Sequence, residues 1–555
     1  MNVDGSSVGT LTVNGIETMA LTTTGAASII DSVVSNTLKA VTVAGDQALT
    51  LGSIANGTGL TLTDMTAANT VDASAMTAAL NLVLLNDGAV DVEVSTGSAN
   101  DTVSFVSFDT DDTFDGGEGT DTISLTNNIA IARTTTNGGT LKDVEQLNVN
   151  TAGTGTINMD AFSGVTKVIF DADITAAATS TVDNAVSGIT VEVDTTGTTG
   201  TLVVDLKTDG TADVVTIELD DVAAGEAITS IDVADAETLN ISADDDTTNG
   251  VGAITITSLT ATDATTLNLS GDADLTIAAV VDPATPVLSV VNASTMTGDL
   301  TISGMNTKAT GATITLGAGD DRYEVATSNG ADTITLGAGA DTIVYTAVAQ
   351  SDDDMDTITD FTQGEDVINL NTLAHTGAAA VTGIVTSVQF AGTRDSFALA
   401  QGALTGAGAA STTASKTAVF QADENILWVD IDQNGTLDNN DFRVKLDGIT
   451  ALTAADLGFG TGNTVTLTAA AAVVNTTTNT NADEMTTSED DTINTTAAFA
   501  NGSSVDGSFG TDTVNIDMTG SAGGAYTVDL TNIAGGQILD PNNSIRFKIE
   551  SPKWL

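Results

Sequence analysis

The chain has 555 residues and a formal net charge of −60, from 74 Asp and Glu against 14 Lys and Arg. No basic patch exists to meet phosphate, which excludes nucleic acid as a partner, and a folded chain this acidic repels itself unless cations bind. Hydrophobic residues at 41% exclude a disordered acidic chain, and the absence of cysteine excludes disulfides and thiolate metal sites.

Aromatic residues are only 3% of the chain, which suits thin β layers packed by Val, Ile, Leu and Thr. No apolar run reaches the roughly 18–20 residues of a membrane span, so no transmembrane segment is expected. The start, Met1-Asn2-Val3-Asp4, has no charged n-region and no apolar h-region. It does not read as a signal peptide. That leaves a cytosolic protein, export through a C-terminal signal, or a chain cut from a longer one.

Residues 1–125 read as a first β module. Short alternating runs such as Leu11-Thr12-Val13 and Val41-Thr42-Val43 are each followed by Gly, Asp, Asn, Ser or Thr. Period-two alternation marks half-buried strands, and the polar residues mark turns. The module ends in Asp115-Gly116-Gly117-Glu118-Gly119-Thr120-Asp121-Thr122-Ile123-Ser124, which contains a complete G-G-x-G-x-D-x-U-x nonapeptide with U apolar. Glycine permits a tight turn and close approach of carbonyls to an ion. The Asp offers a hard oxygen that suits calcium. Related Asp turns precede it at Asp112 and Asp101, so Asp101, Asp112, Gly116, Gly117, Gly119 and Asp121 are candidate metal-site residues.

Residues 126–236 read as a linking β-rich solenoid segment, with Leu147-Asn148-Val149 as a representative strand. Residues 237–345 repeat the first module. Val71-Asp72-Ala73-Ser74-Ala75-Met76-Thr77 recurs as Val291-Asn292-Ala293-Ser294-Thr295-Met296-Thr297, 220 residues on (291 − 71). Glu17-Thr18-Met19 likewise recurs as Glu237-Thr238-Leu239. Val8, Leu11 and Val13 align with Ile228, Ile231 and Val233, which places Met1 within a module and predicts a chain that begins inside a longer protein. Asp101, Asp112 and Asp121 map onto Asp321, Asp332 and Asp341. The second set is Gly317, Gly319 and Asp321, then Gly330 and Asp332, then Gly337, Gly339 and Asp341. Calcium would lie between successive turns. Leu316 and Leu336 stand where a first glycine is expected, which weakens those sites.

Helical periodicity is scarce outside Ala-rich stretches such as 395–410. The expected fold is all-β: repetitive parallel β-solenoid or β-roll modules with calcium in the turns and few helices. A sandwich array is the competing all-β reading.

The nonapeptides at Gly116–Ser124 and Leu336–Val344 resemble the RTX family of secreted proteins. That resemblance implies parallel β-rolls with calcium in their turns. It covers about a tenth of the chain, and each set is only two or three turns long. The order of a Glu-x-Leu strand, Thr-Leu-Asn-Leu-Ser-Gly-Asp, Val-Asn-Ala-Ser-x-Met-Thr-Gly-x-Leu-Thr-Ile and then nonapeptides is similar to RTX-type bacterial S-layer proteins. It implies type I secretion and self-assembly into a calcium-dependent lattice or sheath.

Residues 346–460 resemble the serralysin C-terminal domain, at 356–370 and again at Leu427–Asp441. Read from the residues, Asp430, Asp432, Asn434, Gly435, Thr436, Asp438 and Asp441 fall at positions 1, 3, 5, 6, 7, 9 and 12 of an EF-hand-type loop. Position 12 is Asp instead of Glu, and the flanks Ile426–Val429 and Phe442–Leu446 read as strands, so a plain polar hairpin is the alternative. Residues 461–540 hold a third, degenerate set at Asp491-Thr492-Ile493 and Gly510–Val514. Residues 541–555 gather Arg546, Lys548 and Lys553 in a chain that elsewhere avoids them, and read as a non-native or truncated tail.

Catalysis is not expected. The one histidine, His375, reads as a loop residue and cannot build the His-Glu-x-x-His zinc motif of serralysins or a triad. Gly337-Ala338-Gly339 lacks the following helix and Lys of a phosphate loop. The expected function is a secreted structural protein of the cell surface, an S-layer or matrix subunit that assembles with itself into a lattice or filament. Cell-surface polysaccharide is a further candidate partner. The rivals are an RTX adhesin or biofilm protein, and a polysaccharide-modifying enzyme carrying RTX modules.

Overall fold

The computed structural model describes residues 1–457 except 63–68, 87–89, 196, 222–225, 246–251, 282–286, 326–329, 352–353, 371–372, 377–381, 385–386, 405–414, 432–434, 440 and 454. From 458 onward it describes six short strands. The fold is a nearly all-β, parallel β-solenoid. It divides into two compact units, Met1–Leu288 with Thr295–Gly298, and Ser289–Ser294 with Asp299–Leu555.

In the first unit the chain winds between two faces. One face is a run of parallel strands: Ser7–Thr12, Ser28–Val34, Leu49–Leu51, Leu80–Leu84, Thr102–Phe105, Thr122–Leu125, Gln146–Val149, Lys167–Phe170, Ile189–Thr195, Val214–Asp221, Thr238–Asp245 and Thr266–Gly271. The intervening strands form the other face in two parallel sheets. These run from Asn2–Val3 to Thr140–Lys142 and from Gly155–Asn158 to Asp274–Ile277.

Strict alternation explains the winding. Leu82, Val103, Ile123, Leu147, Val168, Val191, Ile217, Ile241 and Leu269 stand in one register row across nine turns. All are buried, each contributing about 1.5–3 kcal/mol by removal from water. Their neighbours along each strand point to the opposite side of the sheet, where Val83, Ser104, Thr122 and Ser124 are nonetheless buried. Asn268 donates to Asn240 (2.8 Å) and Asn240 to Thr216 (3.2 Å), so an outward polar row runs beside the apolar one.

The duplicated module does not keep its face. Thr18–Thr23 lies in the sheet of Asn2–Val3, whereas its counterpart Thr238–Asp245 lies in the sheet of Ser7–Thr12. The two faces are chemically equivalent, both being rows of aliphatic residues, so a half-turn offset leaves the core intact. The two sheets of the second face are interrupted near the helix Asn127–Ala132. There Arg133 is buried between the rings of Phe108 and Phe162, 4.9 Å from each centroid, and its Nε donates to Ala161 O at 2.7 Å.

The second unit repeats the winding. Val290–Met296, Thr313–Thr315, Thr333–Thr335 and Thr357–Ile358 pair in parallel on one face. Leu300–Ile302, Arg322–Glu324, Thr342–Val344 and Val367–Asn369 pair on the other. An antiparallel segment then covers the last coil. Phe442–Leu446 pairs with Thr357–Ile358 and with Ile426–Asp430, which pairs with Ser415–Gln421. The helix Phe397–Leu404, inside the Ala-rich stretch expected to be helical, packs over Val419, Ile426, Trp428 and Leu437 through Ala400.

Of the third set, Thr492–Thr496 and Thr513–Asp517 pair in parallel register, Ile493 opposite Val514, and Arg546–Lys548 pairs with the latter. Asp491 and Gly510 lie outside the described residues. Among the described residues no helix is long and apolar enough to cross a membrane.

Candidate metal centres in the turns

Asp112 precedes a strand but donates its amide across its own turn to Asp109 O (3.1 Å), whereas Asp101, Asp121, Asp321, Asp332 and Asp341 each stand just before a strand with the amide pointing along the stack. The carboxylate of the next coil receives that amide. In the first unit Leu80 N donates to Asp101 Oδ1 (2.6 Å), Asp101 N to Asp121 Oδ1 (2.8 Å) and Asp121 N to Glu145 Oε2 (2.8 Å). In the second, Leu300 N donates to Asp321 Oδ1 (2.8 Å), Asp321 N to Asp341 Oδ1 (2.8 Å) and Asp341 N to Asp366 Oδ1 (3.0 Å). The other edges carry the same device: Val92 N to Asp112 Oδ1, Ala312 N to Asp332 Oδ1, and Asp332 N to Asp356 Oδ1. Hydrogen bonds to a charged acceptor contribute about 1.5–3 kcal/mol each.

The second carboxylate oxygens separate the sites. Asp101 Oδ2 accepts from Gly97 N (3.0 Å), Asp321 Oδ2 from Gly317 N (2.8 Å) and Asp112 Oδ2 from Asp109 N (2.8 Å). Asp332 Oδ2 accepts from Thr307 Oγ1 at 3.4 Å. Asp121 Oδ2 and Asp341 Oδ2 are buried and have no hydrogen-bond partner. Their own loops' amides are engaged elsewhere: Gly116 N donates to Lys142 O, and Leu336 N and Gly337 N donate to Asp360 Oδ1 and Oδ2. The two nonapeptides thus each leave one carboxylate oxygen open, at the same motif position.

The glycines shape the space around those oxygens. A Cβ on Gly116 would strike Asp121 Oδ2 at 2.6 Å. Gly117 (φ +89°) and Gly119 (φ +127°) leave room for the carbonyls of Gly97 and Ala99 one coil earlier. Gly337 (φ +100°) and Gly339 (φ +130°) do so for those of Gly317 and Gly319. Gly330 lies against the backbone of Gly311. The same added Cβ on Gly116 would meet Asp143 O at 2.0 Å, so one backbone carbonyl stands beside the open carboxylate of Asp121.

Burial pushes Asp121 and Asp341 up to about 7, and neighbouring carboxylates add to it: Asp101, Glu145 and Asp115 for the first, Asp321, Asp366 and Asp360 for the second. Burial also raises Asp112, Asp321 and Asp332 to about 6, raises Asp101, and holds Asp356, whose Oδ2 accepts from Tyr345 Oη (3.1 Å), well above the usual range. A buried carboxylate with an open lone pair is costly. A hard divalent cation relieves that cost, and an all-oxygen set of carboxylate and carbonyl suits calcium. Among the described residues no three carboxylate or imidazole side chains converge on one point.

The 430–441 loop is built differently. Asp432 and Asn434 lie outside the described residues. Asp430 Oδ2 accepts from Gly435 N (3.1 Å), and Asp441 Oδ1 and Oδ2 accept from Ile431 N (3.0 Å) and Asp438 N (3.1 Å). Thr436 is exposed and Asp438 half-buried. Gln401 of the helix grips the loop, donating to Gly435 O (2.6 Å) and accepting from Leu437 N (2.8 Å). Asp441 thus serves the hairpin's backbone with both oxygens. Both flanks are strands, as expected.

His375 lies on the strand Ala374–Thr376, paired with Thr382–Ile384, and not in a loop as expected from its neighbours. Sequence reasoning also missed Asp115, Glu145, Asp360 and Asp366 as site neighbours. Asp360 and Asp366 sat within the quoted 356–370 segment. Asp115 directly precedes the first nonapeptide, whereas Glu145 carried no local signal, because coil lengths vary and only the register shows what stands beside a turn. No family model matches this chain, and no curated protein matches it.

Proposed function

We propose that the protein is a calcium-stabilised structural protein of the cell exterior, with cations held in the turns at Asp121 and Asp341. The observation that carries this is the open, buried carboxylate oxygen found in both nonapeptide turns and nowhere else in their Asp ladders. Gly116, Gly117, Gly119, Gly337 and Gly339 keep the cradle clear. Calcium would neutralise each carboxylate and tie adjacent coils together, so that binding and folding are linked.

In low calcium the −60 charge would loosen the chain. At the roughly millimolar level outside cells, filled turns would lock it. This fits secretion in a loose form and assembly at the surface into an S-layer or matrix lattice. Outward Asn, Thr and Asp rows on regular strands offer repeated contacts for a second copy. Calcium would be titrated into chelator-treated protein while circular dichroism and light scattering are followed, with electron microscopy of the product. Cooperative gain of β signal followed by an ordered lattice supports the reading. Complete β structure without calcium, and no assembly, would overturn it and favour an adhesin.

A further inference from the structure

The two nonapeptide turns differ in one respect that bears on when each fills. In the first unit, register places Asp115 opposite Lys142. Lys142 Nζ sits 2.8 Å from Asp115 Oδ2 and 2.9 Å from Asp143 Oδ2. Asp115 Oδ1 is buried and has no hydrogen-bond partner. Asp115 also stands close enough to Asp121 to raise it. An open groove lined by Ser98, Asp115, Gly117, Glu118, Lys142 and Asp143 leads to this corner from solvent. The ammonium is therefore seated on the carboxylate that borders the open oxygen of the turn.

In the second unit the same register position holds Thr335, whose hydroxyl meets that of Thr359 at 2.8 Å. The next residue, Asp360, takes the place of Asp143 and turns both its oxygens to the amides of Leu336 and Gly337. None of the ion pairs among the described residues involves Asp341, Asp360 or Asp366. The carboxylates of the second turn thus carry no ion pair among the described residues, with Arg322 standing opposite Thr342 and outside any, whereas a lysine is seated on the carboxylate that borders the first.

We infer that Lys142 is a tethered competitor for the cation at the Asp121 turn, so that the Asp341 turn fills at lower calcium and the Asp121 turn second. This rests on the calcium reading above. A unit charge about 6–8 Å from a divalent ion, screened by a dielectric close to that of water as suits an exposed lysine, changes affinity by about fivefold to tenfold. The lysine is exposed and its carboxylates remain in place, so its removal leaves the backbone device untouched.

The test is a calcium titration of the full chain by isothermal calorimetry, with phases assigned by Asp121→Asn and Asp341→Asn. The expected result is that Asp341→Asn removes a tighter phase and Asp121→Asn a weaker one. Lys142→Met should then tighten the weaker phase about fivefold or more and leave the tighter one in place, while Lys142→Arg keeps both. A Lys142→Met protein whose Asp121-dependent phase does not move overturns the inference, as does an Asp121-dependent phase that is the tighter of the two. If neither Asp variant changes the isotherm, the calcium reading itself fails and the inference with it.

Discussion

Protons should partly replace calcium. Without a cation, Asp121 and Asp341 lie at about 7 in the folded chain, against an ordinary value of 3.8. The folded state therefore binds protons more tightly than the unfolded one between these values. A carboxyl so placed is neutral and harmless at low pH. Its burden on the fold grows as pH rises from about 4 and is complete above 7. The upper bound is about 4 kcal/mol for each of the two. Relaxation and the effective dielectric of real sites reduce this to about 1–2 kcal/mol. Asp112, Asp321 and Asp332, at about 6, act in the same direction. In chelator, the melting temperature followed by circular dichroism should therefore be higher at pH 5 than at pH 8, by about 5 °C or more. Saturating calcium at pH 8 should erase the difference, because a bound cation holds the carboxylate ionised. Asp121→Asn keeps the shape, removes the charge and should reduce the first unit's pH dependence, to which Asp112 and Asp194 still contribute, while abolishing its gain from calcium. A calcium-free protein that melts at lower temperature at pH 5 than at pH 8 would refute the reasoning.

Four further outcomes are expected. Gly337→Val places a β-branched residue at φ +100°, against the carbonyl of Gly317, and should cost more than about 3 kcal/mol in urea melts with or without calcium. Arg133→Met should change stability by less than about 1.5 kcal/mol, since it removes a buried cation that burial already lowers to about 10 while filling the space between Phe108 and Phe162. Arg133→Ala should cost about 3 kcal/mol, because it leaves a cavity between the rings, and urea melts of the two Arg133 variants check both values. Trp428→Ala, which empties the cluster under the helix Phe397–Leu404, should cost about 3–5 kcal/mol and lower the second unit's transition alone in a calorimetric scan.

Much of this molecule is local and so could be read along the chain. Leu147-Asn148-Val149 declares a strand with one face inward because side chains alternate every residue, whatever lies beside it. Gly116 to Asp121 declares a turn because only glycine tolerates the backbone angles that the tight corner requires. The Ala-rich stretch around 397–404 and the strands flanking Asp430 and Asp441 follow from the same short-range rules. Strands and turns in tandem leave a parallel solenoid as the economical fold.

What stands next to what was decided only in three dimensions. Asp101, Asp112, Asp121, Asp321, Asp332 and Asp341 carry one sequence signature, yet four have both oxygens occupied and two do not. For Asp341 the difference arises because Asp360, from the following coil, takes the amide of Gly337, the counterpart of the Gly317 amide that serves Asp321. The coils between register partners range from 20 residues at Asp101 and Asp121 to 31 at Leu49 and Leu80, so no fixed period along the chain predicts the neighbour. The half-turn displacement of the duplicated module has the same origin. Local pattern specifies which side chains face inward, while the lateral hydrogen-bond register, set by the whole stack, specifies which of them meet.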